Sequence, residues 1–166
     1  MTTPAYLPVF AKVTSCPNCR SAEQLAAVVQ QFNVATDARY QPQGGTTFCN
    51  IFVWDVTRAL AAEIPHWWVG HEMNANALYD WLSAHGGDYG WTACSADDAS
   101  AAAAAGKPAV AVWKNPSGGP GHIAVVIPTP DGLSGVYIAQ AGARCFYGEA
   151  LNHGFGNLVP TYYRND

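Results

Sequence analysis

Charge is scarce in this 166-residue chain. Only 12% of its residues are Asp, Glu, Lys or Arg, against about 25% in an average soluble protein. Eight Lys and Arg face twelve Asp and Glu, for a net charge of −4. With no basic excess there is no electrostatic footprint for nucleic acid or for an anionic membrane surface. Long apolar runs are missing too. The longest, at residues 109–113 and 123–127, fall far short of the ~20 residues a bilayer requires. The opening MTTPAYLPVFAKV has no basic start and no unbroken apolar stretch, so it does not read as a secretory signal peptide. No internal repeat is visible, and the only low-complexity stretch is the alanine run 101–105. What the chain does have is apolar mass. Its composition is 49% hydrophobic, which excludes intrinsic disorder.

The cysteine count is odd: Cys16, Cys19, Cys49, Cys94 and Cys145. If four pair, one thiol stays free, and sequence cannot choose among the three connectivities. A fully reduced chain is equally compatible with this length. Cys16 and Cys19 form a CxxC. It reads as a redox pair, a disulfide or half a metal site, but the βαβ pattern of a thioredoxin-like fold does not follow. No second CxxC and no HxxxH completes a zinc set. His66, His71 and Glu72 lie around a Trp pair without tight ligand spacing, so a packing or substrate-lining loop is the better reading.

Helical signals fill the first two thirds. A helix starts at Ser21 with Gln24 at capping-box spacing, and Leu25, Val28, Val29 and Phe32 make its apolar face. Residues 7–13 before it read as a strand or an extended arm. After the Pro/Gly loop at 40–47, Thr46 or Thr47 can cap a second helix running to about Ala62. Its inward stripe is Cys49, Phe52, Val53, Val56 and Leu60, with Cys49 in the first turn. Residues 64–73 read as a Trp- and His-rich loop. Asn74 caps a third helix that Gly86 and Gly87 end, and a fourth spans 95–105, with Ser95 and Asp98 at capping spacing and Gly106 at its end. Beyond Gly106, segments 108–114, 122–127, 135–140 and 158–163 carry strand signals. Helices first and strands afterwards predict an α+β fold, with helices against one side of an antiparallel sheet.

One cysteine stands out chemically. A thiol attacks as its thiolate, and a helix N-terminus favours negative charge. Cys49 is expected at such a terminus, directly after a Gly-rich loop that lets a substrate approach. Its other reading is an ordinary core cysteine. Among five histidines, His122 opens an apolar strand after Gly-Gly-Pro-Gly, where a base is held rigidly near a sheet end. Gln140 closes the next strand and can orient that imidazole; Asn152 and Asn157 are spare candidates. Trp67 and Trp68 can stack a sugar or peptide, whereas Trp54, Trp81 and Trp113 have core spacing. Ser117–Gly121 lacks the Lys-Ser/Thr of a phosphate loop and reads as a turn.

The order GGTTFCNIFVWDV, GKPAVAVWKNPSGGPGHIAVVI, VYIAQAG resembles the CHAP branch of the NlpC/P60 papain-like amidases and peptidases. The resemblance covers about residues 40–142 and is most specific at the two strand motifs. Thr-Phe stands where that family often has Gly-Gln before the cysteine, Pro108 and Ala109 replace its usual Gly-Asp, and its third residue is often acidic where this chain has Gln140. The resemblance implies a papain-like α+β fold and a peptidoglycan amide hydrolase needing no cofactor or metal. Cys49 would be the nucleophile, His122 the base and Gln140 its orienter. The Cys49 N–H and a donor from Gln43 or Tyr40 would hold the oxyanion. It implies peptidoglycan or its peptides as partner. The absence of a signal peptide suits delivery to periplasm or wall by phage lysis or a secretion apparatus, the latter with an immunity protein. A Cys–His acyltransferase or deamidase acting on proteins, and a non-catalytic wall-binding module, are the alternatives.

Overall fold

The computed structural model describes residues 4–166. Ser21 caps α1 (Ala22–Gln30) by accepting from the Gln24 N–H. The box closes from one side only, because the Gln24 side chain donates to the Thr14 carbonyl instead. α1 buries Leu25, Val28 and Val29, and Phe32 beyond its end is buried as well. Residues 7–13 form no strand. They form an irregular, bent arm held by the Gln31 side chain, which accepts from the Lys12 and Val13 N–H groups and donates to the Val13 carbonyl.

α2 (Cys49–Ala59) starts later than Thr46 or Thr47, and Phe48 precedes it with no side-chain cap. The reason is local. Gly44 and Gly45 take left-handed φ values of 56° and 83°, and Gln43 and Thr46 bond to each other across that turn. The turn thus consumes Thr46 before the helix begins. The expected stripe of Cys49, Phe52, Val53, Val56 and Leu60 is buried.

Part of the expected Trp/His loop is a hairpin of β1 (Trp67–Trp68) and β2 (His71–Glu72). Asn74 then caps α3 (Ala75–Ala84). Strand β3 (Trp91–Cys94) follows a single 3-10 turn. Ser95 and Asp98 form the full capping box of α4 (Ala96–Ala104), and Gly106 beyond it has a φ of 77°. The remaining elements are β4 (Ala109–Trp113), β5 (His122–Ile127), β6 (Tyr137–Gln140), β7 (Phe146–Ala150), α5 (Asn152–Phe155) and β8 (Thr161–Asn165).

Six of these strands form one antiparallel sheet in the order β3-β8-β4-β5-β6-β7. The architecture is α+β. α2 packs on β5 and β6, α3 on β4 and β5, and α4 on β4, β5 and β8. Residues 123–127 are all buried, so both faces of the central strand are covered. Alternate residues of a strand point to opposite faces, and a strand covered on both sides reads as a continuous apolar run. That is why the sequence HIAVVI shows no clean alternation.

Candidate active site

α2 brings Cys49 to the floor of a cleft of about 380 Å³. Glycine and threonine from the 44–47 turn form one wall, and Gly118, Gly119, Pro120 and Gly121 form another. Asn50, Asn74 and Asn76 supply neutral amides, and among the described residues no charged side chain lines the cleft. Asn76 pins the glycine wall. Its Nδ2 donates to the Gly119 carbonyl and its Oδ1 accepts from the Asn115 N–H, both at 2.9 Å. That anchors the turn that delivers His122 to the start of β5.

Cys49 is 6% exposed. Its sulfur meets three backbone N–H groups: its own, that of Asn50 and that of Ile123. The first two belong to the open end of α2, where N–H groups have no helical acceptor. The third comes from the residue after His122, so the sulfur lies against the first peptide of β5. The expectation that the helix start lowers the Cys49 pKa is corrected here. Burial is the larger influence and pushes the thiol up, with the three N–H groups only partly opposing it.

His122 and Gln140 come together. The ring Nε2 is 2.7 Å from the Gln140 Oε1. The Gln140 Nε2 donates to the Arg144 carbonyl at 2.9 Å, which fixes the amide with its oxygen toward the ring. An amide oxygen only accepts, so the imidazole carries its proton on Nε2. Nδ1 is left with a lone pair and no hydrogen bond among the described residues. Burial lowers the His122 pKa from its ordinary value, partly offset by the bond to Gln140. Two residues with no motif signature wall this pair in. The Phe155 ring centroid lies 4.8 Å from that of His122. Gly154 presses so close that a Cβ there would fall 2.1 Å from the Gln140 Oε1. Sequence reasoning missed both, because α5 is a four-residue turn without a cap or an apolar period. The unexplained Gly154 in NHGFG was the one available hint.

The other expected residues fall elsewhere. Tyr40 is 1% exposed and its hydroxyl donates to the Asp55 Oδ2 at 2.8 Å, so it offers no proton to an oxyanion. It belongs to a buried cluster in which Arg39 meets Asp55 through Nε at 2.7 Å and Nη2 at 3.0 Å. The same guanidinium donates to the Pro4 and Leu7 carbonyls, tying the arm to α2. Gln43 lies exposed in the turn, with its Nε2 toward the Ala38 carbonyl, and does not line the cleft. A neutral amide at the cleft that sequence reasoning overlooked is Asn74. Its Oδ1 caps α3 and its Nδ2 has no partner among the described residues. Asn152 and Asn157 are exposed, and Gln140 holds the contact to His122. Trp67 and Trp68 line a second cleft.

Cys16 and Cys19 form a disulfide, and Cys49, Cys94 and Cys145 are free thiols. Among the described residues no group of three or more His, Cys, Asp or Glu converges as for a metal ion, and no helix is long and apolar enough to cross a membrane. Comparison of the sequence with family models and with curated proteins finds no match to either.

Proposed function

We propose that this protein is a papain-like cysteine hydrolase that cleaves an amide bond of peptidoglycan. The observation that carries the reading is the tautomer of His122. Gln140 holds Nε2–H, and Nδ1 stays available as the base, on a strand whose next N–H meets the Cys49 sulfur.

Burial favours the neutral form of both groups, raising the thiol and lowering the imidazole. The thiolate therefore forms as the substrate is attacked and does not stand ready as an ion pair. The Cys49 Sγ adds to the scissile carbonyl while its proton passes to His122 Nδ1. The oxyanion accepts from the Cys49 N–H, with Asn74 Nδ2 as the second donor. His122 then gives its proton to the leaving amine, the C–N bond breaks and a thioester remains. A water deprotonated by the same Nδ1 releases the acid. The glycine walls and neutral amides of the cleft suit a peptide backbone with small side chains, as in alanine-containing wall stems.

The test is digestion of purified peptidoglycan, with fragments read by mass spectrometry. New amine and carboxyl ends are expected with the native chain and none with Cys49→Ala. No new ends from the native chain, or ends that persist in Cys49→Ala, would overturn the assignment.

A further inference from the structure

We propose that the aromatic cleft beside the β1–β2 hairpin is a glycan subsite that seats an N-acetylhexosamine unit. The choice of sugar rests on the peptidoglycan reading; the site itself rests on its own geometry. The cleft, also of about 380 Å³, is walled by Glu63, Pro65, Trp67, Trp68, Trp81 and Tyr89. Trp68 meets Trp81 edge-on at 5.8 Å and Tyr89 at 5.9 Å, and Trp81 and Tyr89 lie 5.2 Å apart. These three rings brace one another. Trp67 is not braced in this way and is 59% exposed, so a large apolar ring stands in water beside a concave surface. Sugars present a flat C–H face that stacks on such a ring, with hydroxyls at the edge for polar partners.

The hairpin is built to hold Trp67 out. Its two-residue turn puts Val69 and Gly70 at φ values of 47° and 79°. Both are left-handed, as this turn type demands. For a β-branched valine, 80% exposed, that conformation is strained. The base is fixed regardless. The Met73 N–H donates to the His66 carbonyl, and the Asn50 side chain donates to the Met73 carbonyl, both at 2.9 Å.

The polar partners favour a neutral ligand over a cation. The Glu63 Oε1 accepts from the Trp54 N–H at 2.7 Å and has the Arg58 guanidinium 3.8 Å away. Its charge is partly spent, while Oε2 has no hydrogen bond among the described residues and can accept from a hydroxyl or an acetamido N–H. The subsite and the Cys49 cleft are separate, but both use α3 as part of their lining. Trp68 and Asn74 are six positions apart in the chain, and α3 carries Asn76 in one cleft and Trp81 in the other, about 8 Å along its axis.

The test titrates the full chain, as Cys49→Ala so that nothing turns over, with tetra-N-acetylchitotetraose. Tryptophan fluorescence and NMR report binding. Saturable binding is expected, weakened about tenfold or more in Trp67→Ala and mostly retained in Trp67→Phe, which keeps a stacking face. No saturable binding, equal binding by Trp67→Ala, or displacement of the sugar by choline would overturn the proposal. Because binding is read without turnover, sugar binding by a chain that cuts no wall supports this subsite and sinks only the hydrolase reading. Wall cutting without sugar binding does the reverse.

Discussion

Replacing Gly154 with alanine tests the orienting role of Gln140 without touching a reacting group. Gly154 has an ordinary helical backbone, so alanine meets no conformational barrier. The new Cβ would sit 2.1 Å from the Gln140 Oε1, 2.9 Å from its Cδ and 2.8 Å from the Ile138 Cδ1. Real Cβ contacts essentially never fall below 3.0 Å, so Oε1 must retreat by about 0.9 Å. It cannot close on the His122 ring, already at 2.7 Å. The amide therefore swings sideways, and its bond to Nε2 lengthens past the ~3.2 Å limit of a useful hydrogen bond. Overpacking of this kind costs about 1–3 kcal/mol of stability, which for a chain of this size is a few degrees in Tm at about 2–4 °C per kcal/mol. Losing the lock on the tautomer costs catalysis about as much as a hydrogen bond to a charged group, ~1.5–3 kcal/mol, so kcat should fall roughly 10- to 150-fold. The assay is kcat on a wall-derived peptide, with the His122 Nε2–H proton followed by NMR. In a Gln140→Ala background the same substitution should cost little kcat, because nothing remains to displace. Gly154→Ala with native kcat and an unshifted Nε2–H signal would refute the reasoning.

Three further outcomes follow from burial. His122 must be neutral to accept a proton, and burial holds its pKa below the ordinary 6.5. The acid limb of kcat/KM should therefore lie below that value, and a limb at or above it would contradict the assignment. The same shift contributes stability that is present above 6.5 and is lost as pH falls through the folded value, which denaturation measured across that range would show. Asp55→Ala removes the carboxylate from a pair whose side chains are 3% and 0% exposed. It should cost about 3–5 kcal/mol in urea unfolding, because the Arg39 charge stays buried; a loss under about 1 kcal/mol would mean that the cluster contributes little.

Legibility followed how local the cause was. Caps at Ser21, Asn74 and Ser95 act within three residues, and each begins the expected helix. The strand at His122–Ile127 has the expected bounds because an unbroken apolar run, mostly β-branched, follows a glycine turn. The missed strands have no such mark. Phe146–Ala150 carries Gly148 at a φ of 89°, and Trp91–Cys94 is a four-residue piece squeezed between Gly90 and Ser95. The last strand lies later than residues 158–163 because Leu158 and Val159, apolar as they are, stand 42% and 85% exposed, and pairing runs on through Arg164. At the site, the expected His122–Gln140 pair could be named because each opens or closes a strand. The oxyanion donors could not, since whether Tyr40 faces a substrate or Asp55 depends on tertiary packing. The pKa direction of Cys49 failed for a related reason: position in a helix is local, but burial is not.

The sheet order carries a consequence for biosynthesis. β3 has one ladder, and its partner is β8, whose residues are translated long after it. While the ribosome is still making residues 95–160, Trp91–Cys94 has no strand to pair with, and one side of β4 stays open. Nascent chains must keep these edges from one another until residues 161–165 clear the exit tunnel. Any fragment ending before them would leave a gap inside the sheet, not a frayed margin.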